Sequence, residues 1–393
     1  MAVAFDLFRS LNGKFNYMKV CFIAGTLGRG GAEKQLVFML RALLGVGIQP
    51  RVLCLTSNES YEAEIKSLGV DVEWVGQSNN RLLRLLRIIR SLRKHPADII
   101  QSSHFYTNIY AGLAAKATKI PAIGAIRSNL LSELKAHKYL GRFQLSLPHF
   151  LIANSELGRQ RAIEQGIAPQ SIEFVRNVVD IDSNDTVKST TPDKIITFLF
   201  VGRLSAEKRP DRFVRFAAAL VEKFPVRTVR FRIAGDGARR NEIEEQARKH
   251  ALLRNKIEFL GECERMSEIY RQADVLVLTS DYEGTPNVIL EAMAHALPVI
   301  ATNVGGVPEI LNESRGFLVD SDDEKCLVKA ASELVENPGL RFRLGAEGSR
   351  YIKANHSLDS LTNLLTKIYA GLINQHENGF KTKAGLAQKV SSR

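Results

Sequence analysis

From Lys19 onward, short apolar runs alternate with longer stretches whose apolar residues recur at helical spacing. The runs Val20–Ala24, Val52–Thr56, Val70–Val75, Ile99–Ser102, Ala122–Ile126 and Leu151–Ala153 predict strands, and stretches such as Ala32–Leu44 and Leu82–Arg93 predict the helices between them. This βαβα rhythm is that of a parallel sheet covered on both faces. Residues 181–194 (IDSNDTVKSTTPDK) are polar and rich in breakers, and predict a domain boundary. A second series follows: Ile196–Val201, Arg230–Ala234, Ile257–Leu260, Val275–Leu278, Val299–Ala301 and Phe317–Val319. The fold class expected is α/β, with two doubly wound domains in tandem. Ligands of such sheets bind beyond the carboxyl ends of the strands, so two domains offer a cleft between two such edges. The expected divisions are an extension 1–17, a first domain 18–180, a linker 181–194, a second domain 195–357, a helical stretch 358–375 that either domain could hold, and a polar basic tail 376–393, expected to be frayed.

A length of 393 residues fits about two to three domains. Hydrophobic residues at 45% and charged residues at 24% exclude a disordered chain, a collagen-like fibre and a low-complexity scaffold. The four cysteines (Cys21, Cys54, Cys263, Cys326) lie far apart, without close Cys/His spacing. That argues against a zinc ribbon or a disulfide framework and fits a reducing compartment. No apolar run approaches the ~20 residues that span a bilayer. Residues 1–17 lack a basic start, a long apolar core and a small-residue cleavage site, so they read as an amphipathic extension or an artefact of start-codon choice rather than a signal peptide. Charge separates the halves. Residues 1–180 hold 23 basic and 13 acidic side chains, hence +10, whereas 181–393 hold 31 and 29, hence +2. Such asymmetry points to an anionic partner, whether nucleic acid, acidic lipid or phosphorylated substrate, or serves solubility alone.

The chemistry concentrates in a few stretches. In Asp281-Tyr-Glu-Gly-Thr-Pro-Asn-Val-Ile-Leu-Glu291, Thr285 suits an N-cap and Pro286 the first helical position. A helix starting there would aim its free amides at a phosphate. Glu283 would stand in the loop before it and Glu291 on its second turn, placed for paired hydroxyls of a sugar and a ribose; Glu291 alone would read as a solvated helix residue. In Phe200-Val-Gly202-Arg203-Leu-Ser-Ala-Glu-Lys208-Arg209 a buried strand ends in glycine and delivers two or three cations to the same edge, where a diphosphate would suit them, although a basic loop can also be merely solvated. Gly25-Thr-Leu-Gly28-Arg29-Gly30-Gly31-Ala-Glu33 is a glycine loop where backbone can approach a ligand closely. It is not the dinucleotide fingerprint, because Glu33 stands where the last glycine belongs; Gly235-Asp236-Gly237 fails likewise at Arg240, and no P-loop is present. These absences count against a dehydrogenase and an NTPase.

His104 lies just beyond the strand Ile99–Ser102, as a structural histidine or a cleft group. Arg127 ends another strand, to contact an anion or an acceptor, or as a surface arginine. On a helical wheel of 81–94, Leu82, Leu85, Leu86, Ile88, Ile89 and Leu92 share one arc, and Arg84, Arg87, Arg90 and Lys94 lie opposite, with Arg81 and Leu83 breaking the pattern. The preferred reading packs the apolar arc on the sheet; contact of the basic face with an anionic membrane is the other.

Together these residues resemble the retaining, nucleotide-sugar-dependent glycosyltransferases of family 4, which have the GT-B fold of two Rossmann-like domains facing each other across a cleft. The resemblance runs from about Met18 to Ile373 through GRGGAEKQL at 28–36, FVRNVVD at 174–180, FVGRLSAEKRPD at 200–211, IAGDG at 233–237, FLGE at 259–262 and EGTPNVILEAMAHALPVIATNVGGVPEI at 283–310. The last holds the family's pattern of two glutamates with seven residues between them, as Glu283 and Glu291. The resemblance implies that Arg203 and Lys208 hold the donor diphosphate and steady the leaving group. It implies that Glu291 binds the ribose, Glu283 the donor sugar, and the amides near Asn287, Val288 and Ile289 a phosphate or sugar. Gly30, Gly31, Gly235 and Gly284 complete the implied donor site. His104 matches the cleft histidine that contacts the transferred sugar, and with Arg127 it would face the acceptor. The family generally uses no metal and no cofactor beyond the nucleotide sugar. Two departures stand out: Asn177-Val-Val-Asp replaces the common Asn-Gly-Val-Asp, and Asp281 beside the motif is a candidate for tuning sugar choice.

The function implied is transfer of a hexose or N-acetylhexosamine, from a UDP-sugar in preference to GDP-mannose, to a glycan or lipid-linked acceptor of cell-surface polysaccharide. The setting implied is cytoplasmic, with peripheral contact to an anionic membrane and no nucleic acid. A non-hydrolysing UDP-sugar epimerase would share the architecture, but the Glu283/Glu291 pattern speaks against it. A non-catalytic scaffold should have lost one of Arg203, Lys208, Glu283 or Glu291.

Overall fold

The computed structural model describes residues 18–128, 130–137, 139–181, 195–225 and 229–391. The extension 1–17 and all of the 181–194 stretch but Ile181 lie outside them. The chain divides into two compact units, one of residues up to Arg176 together with those from Leu358 onward, the other Asn177–Ser357.

The first unit is built on seven strands: β1 (Lys19–Ala24), β2 (Gln49–Cys54), β3 (Asp71–Trp74), β4 (Ile99–Ser102), β5 (Ala122–Ile126), β6 (Phe150–Ala153) and β7 (Ile172–Phe174). They pair in the order β3-β2-β1-β4-β5-β6-β7, every pair parallel. The second holds β8 (Ile196–Val201), β9 (Val229–Ala234), β10 (Ile257–Gly261), β11 (Val275–Leu278), β12 (Val299–Thr302) and β13 (Gly316–Val319), ordered β10-β9-β8-β11-β12-β13 and again parallel throughout. Both orders reverse at one point, between β1 and β4 and between β8 and β11, where a doubly wound sheet opens to ligands. Of the strands, only the three-residue β7 escaped the sequence pattern, because IEF is too short to carry a period.

Strands buried on both faces need apolar residues at nearly every position. Ile196–Val201 shows this: Phe198 and Phe200 point into a cluster with Phe213, Phe216 and Phe231, ring centroids 5.5–6.1 Å apart. Leu199 faces the opposite layer of Leu276, Leu290 and Met293.

Three expectations change. Asn177–Asp180, expected to close the first domain, belongs to the second unit, where Val179 joins the core. The last helix runs Leu358–Ser391, past the expected stop at 375 and through the stretch read as a frayed tail; it belongs to the first unit, packed on helix Gly31–Gly45. In helix Arg81–Lys94, Ile88 and Leu92 enter the core with Leu85 and Ile89 against it, but Leu82 and Leu86 of the same arc are 61% and 52% exposed, with Leu83 at 46%. The apolar arc is covered over its C-terminal half only.

Candidate functional site

The second unit gathers its chemistry where β8 and β11 release the chain. After β8, the Gly202 amide donates to the Ala234 carbonyl (3.0 Å), and the Gly235 amide donates to that of Gly261 (2.7 Å). A Cβ on Gly235 would stand 2.0 Å from the Gly202 oxygen, so glycine is required there by this backbone contact. Gly235, expected at the donor, thus braces the loop that carries Arg203. Arg203 itself is exposed and forms no ion pair among the described residues.

Lys208 Nζ donates to Glu283 Oε1 at 2.7 Å, and Ser280 Oγ donates to the same oxygen at 2.7 Å. Glu283 is 8% exposed. Its loop is fixed from behind: Thr302 Oγ1 donates to the Ser280 carbonyl (2.6 Å), and the Gly306 amide to that of Gly284 (2.9 Å). Gly305 has φ +56°, and a Cβ there would lie 1.8 Å from the Glu283 carbonyl oxygen. Lys208 and Glu283, which the resemblance assigned to different parts of a donor, are one ion pair.

Two neighbouring charges have structural work. Arg209, counted as a cation for the edge, pairs with Asp211 and Asp281 at 3.0 Å each. Arg212 donates to the Thr279 carbonyl (2.6 Å) and to Asp281 (2.9 Å). Asp281, the candidate for tuning sugar choice, is therefore held between two arginines. Asp211 also takes Arg215 (3.0 Å) and Arg239 (2.9 Å). Burial raises its carboxyl, but the arginine hydrogen bonds outweigh it and hold the group well below the usual carboxylate range.

The helix of the glutamate motif is Asn287–Ala294, with Pro286 in the capping position and no side-chain cap. It begins one residue later than predicted, and Thr285 is not its cap. Its start is instead held by Asn177, whose Nδ2 donates to the Thr285 carbonyl (3.2 Å) and Asn287 Oδ1 (2.8 Å). The Asn177 carbonyl lies 2.6 Å from His356 Nδ1, which must be the donor. The FVRNVVD stretch signalled Asn177, but nothing in the sequence signalled His356. The side chain of Ile289 is buried and that of Val288 packs on the same core, which leaves their backbone to serve a ligand. Glu291 accepts from Tyr270 Oη at 2.7 Å. Tyr270 is fully buried, stacks on His295 at 5.1 Å, and its phenol is pushed well up by burial and by Glu291. It is a stable donor that orients the carboxylate, and it was missed because Tyr270 stands 21 residues upstream without a motif around it.

The first unit assembles a second cluster at the ends of β1 and β4. The Gly25 amide donates to His104 Nδ1 at 3.2 Å, so that nitrogen carries the lone pair. The ring proton is then on Nε2, 2.9 Å from Glu33 Oε1. His104 also stacks on Tyr106 at 5.2 Å. Both ring nitrogens are engaged inside the protein, which limits the expected sugar contact of His104. The glycine loop changes meaning as well. A Cβ on Gly25 would lie 1.9 Å from Tyr106 Oη, and one on Gly30 2.2 Å from Glu33 Oε2. The space expected for a ligand beside Gly25 and Gly30 is filled by Tyr106 and Glu33; Gly31 opens helix Gly31–Gly45. Burial, then the Glu33 charge, push the Tyr106 phenol up to about 12. Glu59 accepts from Thr26 Oγ1 (2.7 Å), Thr56 Oγ1 (2.6 Å) and the Leu27 amide, which pins the loop. Glu33, Tyr106 and Glu59 were not singled out from sequence as site residues.

A cavity of about 400 Å³ adjoins this cluster, walled by Gly25 and Tyr106, by Arg81, Leu82 and Arg84 of helix Arg81–Lys94, and by Leu113. Arg127 stands one residue past β5, apart from the hydrogen bonds of His104. Among the described residues no three His, Cys, Asp or Glu side chains group as a metal site, and no helix is long and apolar enough to cross a membrane.

Residues 29–183 match the family model described as Glycosyltransferase Family 4, and residues 195–337 the one described as Glycosyl transferases group 1. The chain is 28% identical over 337 residues to a GalNAc-α-(1→4)-GalNAc-α-(1→3)-diNAcBac-PP-undecaprenol α-1,4-N-acetyl-D-galactosaminyltransferase of Campylobacter jejuni, covering 83% of this chain and 91% of that protein. It is 26% identical over 276 residues to the UDP-Gal:α-D-GlcNAc-diphosphoundecaprenol α-1,3-galactosyltransferase of Escherichia coli, covering 66% and 71%. The crystal structure of Anabaena HepE in complex with UDP and glucose superposes with a TM-score of 0.78 at 17% identity, over 90% of this chain and 99% of that one.

Proposed function

The chain belongs to the group 1 and family 4 glycosyltransferases and has their GT-B fold of two Rossmann-like domains; on that premise we propose that it moves a hexose or N-acetylhexosamine, with retention, from a UDP-sugar to a lipid-diphosphate-linked glycan in bacterial surface polysaccharide synthesis. The observation that carries this is the pair of oriented carboxylates at the β8/β11 switch point: Glu283 on Lys208, and Glu291 on Tyr270.

Each group has capacity left for a donor. Lys208 has three ammonium hydrogens, of which Glu283 takes one, leaving two for phosphate oxygens. Glu283 uses Oε1 for both its bonds, and Oε2 is left for sugar hydroxyls. Arg203 adds a second cation on the same loop, and Glu291 takes the ribose. When the nucleoside diphosphate departs, negative charge grows on its phosphate while the sugar becomes oxocarbenium-like. Fixed cations and helix amides aimed at that charge lower the barrier without reorganising. The acceptor hydroxyl then attacks from the leaving-group face and gives its proton to a phosphate oxygen, which accounts for retention without a covalent nucleophile or a metal.

The two relatives support this donor and acceptor: one is named for UDP-Gal, and both for a diphosphate-linked undecaprenol. Exposed Leu82, Leu83 and Leu86 beside Arg81, Arg87 and Arg90 support peripheral contact with an anionic membrane at its cytoplasmic face. The test is thermal stabilisation by UDP, GDP and ADP, with and without EDTA. A nucleotide at one hundred times its Kd adds about 2.7 kcal/mol. UDP is expected to act alone, to ignore EDTA and to lose its effect in Glu291→Ala and Arg203→Ala. A folded protein that answers to no nucleotide would overturn the reading.

A further inference from the structure

Arg127 is a half-buried cation. It leaves the carboxyl end of β5, where ligands of a doubly wound sheet bind. Among the described residues its Nη2 meets the thioether of Met39, at 3.5 Å, and its buried Nε has no hydrogen-bond partner. No carboxylate among the described residues pairs with it. What surrounds it is neutral: Met39, to whose sulfur Gln101 Nε2 also donates (3.4 Å), and Tyr369 of the last helix, whose hydroxyl donates to Gln101 Oε1. Burial lowers the guanidinium to about 10, and it remains charged at neutral pH.

A charge held partly out of water without a partner is costly, and proteins ordinarily pair it. The chain carries arginines that are paired in this way, among them Arg209 and Arg212 on Asp281, so the lack of a carboxylate here is a property of this site. The residue is not sealed off, so an anion can reach part of the guanidinium from solvent. A planar fork accepts phosphate oxygens two at a time. The +10 excess of residues 1–180 raises the local concentration of multiply charged anions.

We propose that Arg127 is an anion subsite of the first unit that holds the phosphate oxygens of the diphosphate acceptor. The proposal rests on the transferase reading for the word acceptor; the subsite itself does not depend on it.

The test uses full-length protein with inorganic pyrophosphate as the probe, alone and after saturation with UDP to occupy the nucleotide's own diphosphate site. Arg127→Met removes the charge at similar volume, and Arg127→Lys keeps the charge but not the fork. Without ligand, Arg127→Met is expected to melt at or above the wild-type temperature, since an uncompensated charge is removed. Pyrophosphate is expected to raise the melting point of UDP-saturated wild type, to raise that of Arg127→Lys less, and to leave Arg127→Met unmoved. In transfer assays the acceptor KM of Arg127→Met should rise roughly ten- to a hundredfold, the range of one lost hydrogen-bonded charge, with the donor KM nearly unchanged. A melting point of Arg127→Met clearly below wild type would make the residue structural and overturn the proposal. So would a pyrophosphate effect that disappears once UDP is bound, because the anion would then be the donor's. If wild type transfers sugar but Arg127→Met keeps its acceptor KM, the subsite fails and the transferase stands. If wild type transfers nothing yet shows the Arg127-dependent pyrophosphate effect, the transferase reading fails and the subsite stands.

Discussion

Gly305→Ala tests whether the Glu283 loop is held by backbone contact. Two costs add. The residue sits at φ +56°, where an L side chain costs about 1–2 kcal/mol. The new Cβ would meet the Glu283 carbonyl oxygen at 1.8 Å, whereas real Cβ atoms essentially never come under 3.0 Å, so that oxygen must retreat by about 1.2 Å. Overpacking of this kind costs about 1–3 kcal/mol, giving a total of roughly 2–5 kcal/mol. For a unit of this size that lowers Tm by roughly 5–20 °C. The displaced group is Glu283 itself, and a misplacement of about 1 Å at a site can cost on the order of a hundredfold in rate. The control is Gly69→Ala, at φ +80° with nothing within 4 Å of the added carbon. It carries the strain without the clash and should lose only about 1 kcal/mol, with turnover intact. The assay is scanning calorimetry beside kcat/KM with a UDP-sugar. If Gly305→Ala matches Gly69→Ala in both Tm loss and turnover, the claim that this contact positions Glu283 is wrong.

Two further outcomes follow from the hydrogen bonds. Long-range 1H–15N spectra should show His104 as the Nε2–H tautomer, and Glu33→Ala, which strips that buried N–H of its partner, should cost about 1–3 kcal/mol; a ring carrying its proton on Nδ1 would contradict the Gly25 contact. Asp211 has a folded pKa below its unfolded value of about 3.9, so its contribution is complete above that pH and is lost as pH falls through the folded value. Asp211→Asn should therefore cost about 3 kcal/mol at neutral pH, and the gap to wild type in urea midpoints should narrow below about pH 4; a gap constant with pH would remove the arginine cluster as its cause.

The two sheets were legible because strands buried on both faces must be apolar at almost every position, a pattern that survives even in four-residue runs such as Val275–Leu278. The two glutamates of the motif were legible for a local reason too: Pro286 marks a helix start, with Glu291 on that helix and Glu283 in the loop just before it. What sequence could not show is which side chains meet across the sheet. Lys208 and Glu283 are 75 residues apart, and His104 and Glu33 are 71 apart; the meeting of each pair depends on β8 lying beside β11 or β1 beside β4. The exposed leucines of helix Arg81–Lys94 failed for a related reason. A wheel gives the direction of a side chain but not where along the helix the core stops, so Leu82 and Leu86 share an arc with Leu92 and none of its burial.

The glycines make the same point more sharply. Read from sequence, Gly25, Gly30 and Gly235 are places where a ligand approaches backbone. In the structure, Tyr106, Glu33 and the Gly202 carbonyl occupy those places. What crowds each glycine is itself part of the two clusters at the sheet edges. At β1/β4, Gly30 makes room for the carboxylate that accepts the His104 proton. At β8/β11, Gly235 makes room for the loop leading to Arg203, and Gly305 for the backbone of the carboxylate that accepts from Lys208. Both switch points therefore use small residues to bring a carboxylate and a nitrogen donor into contact, with one oxygen of the carboxylate engaged by that donor. A methyl group added at Gly30 or Gly305 would first disturb Glu33 or Glu283, and a loss of ligand affinity in such a variant would report that displacement rather than a clash with the ligand.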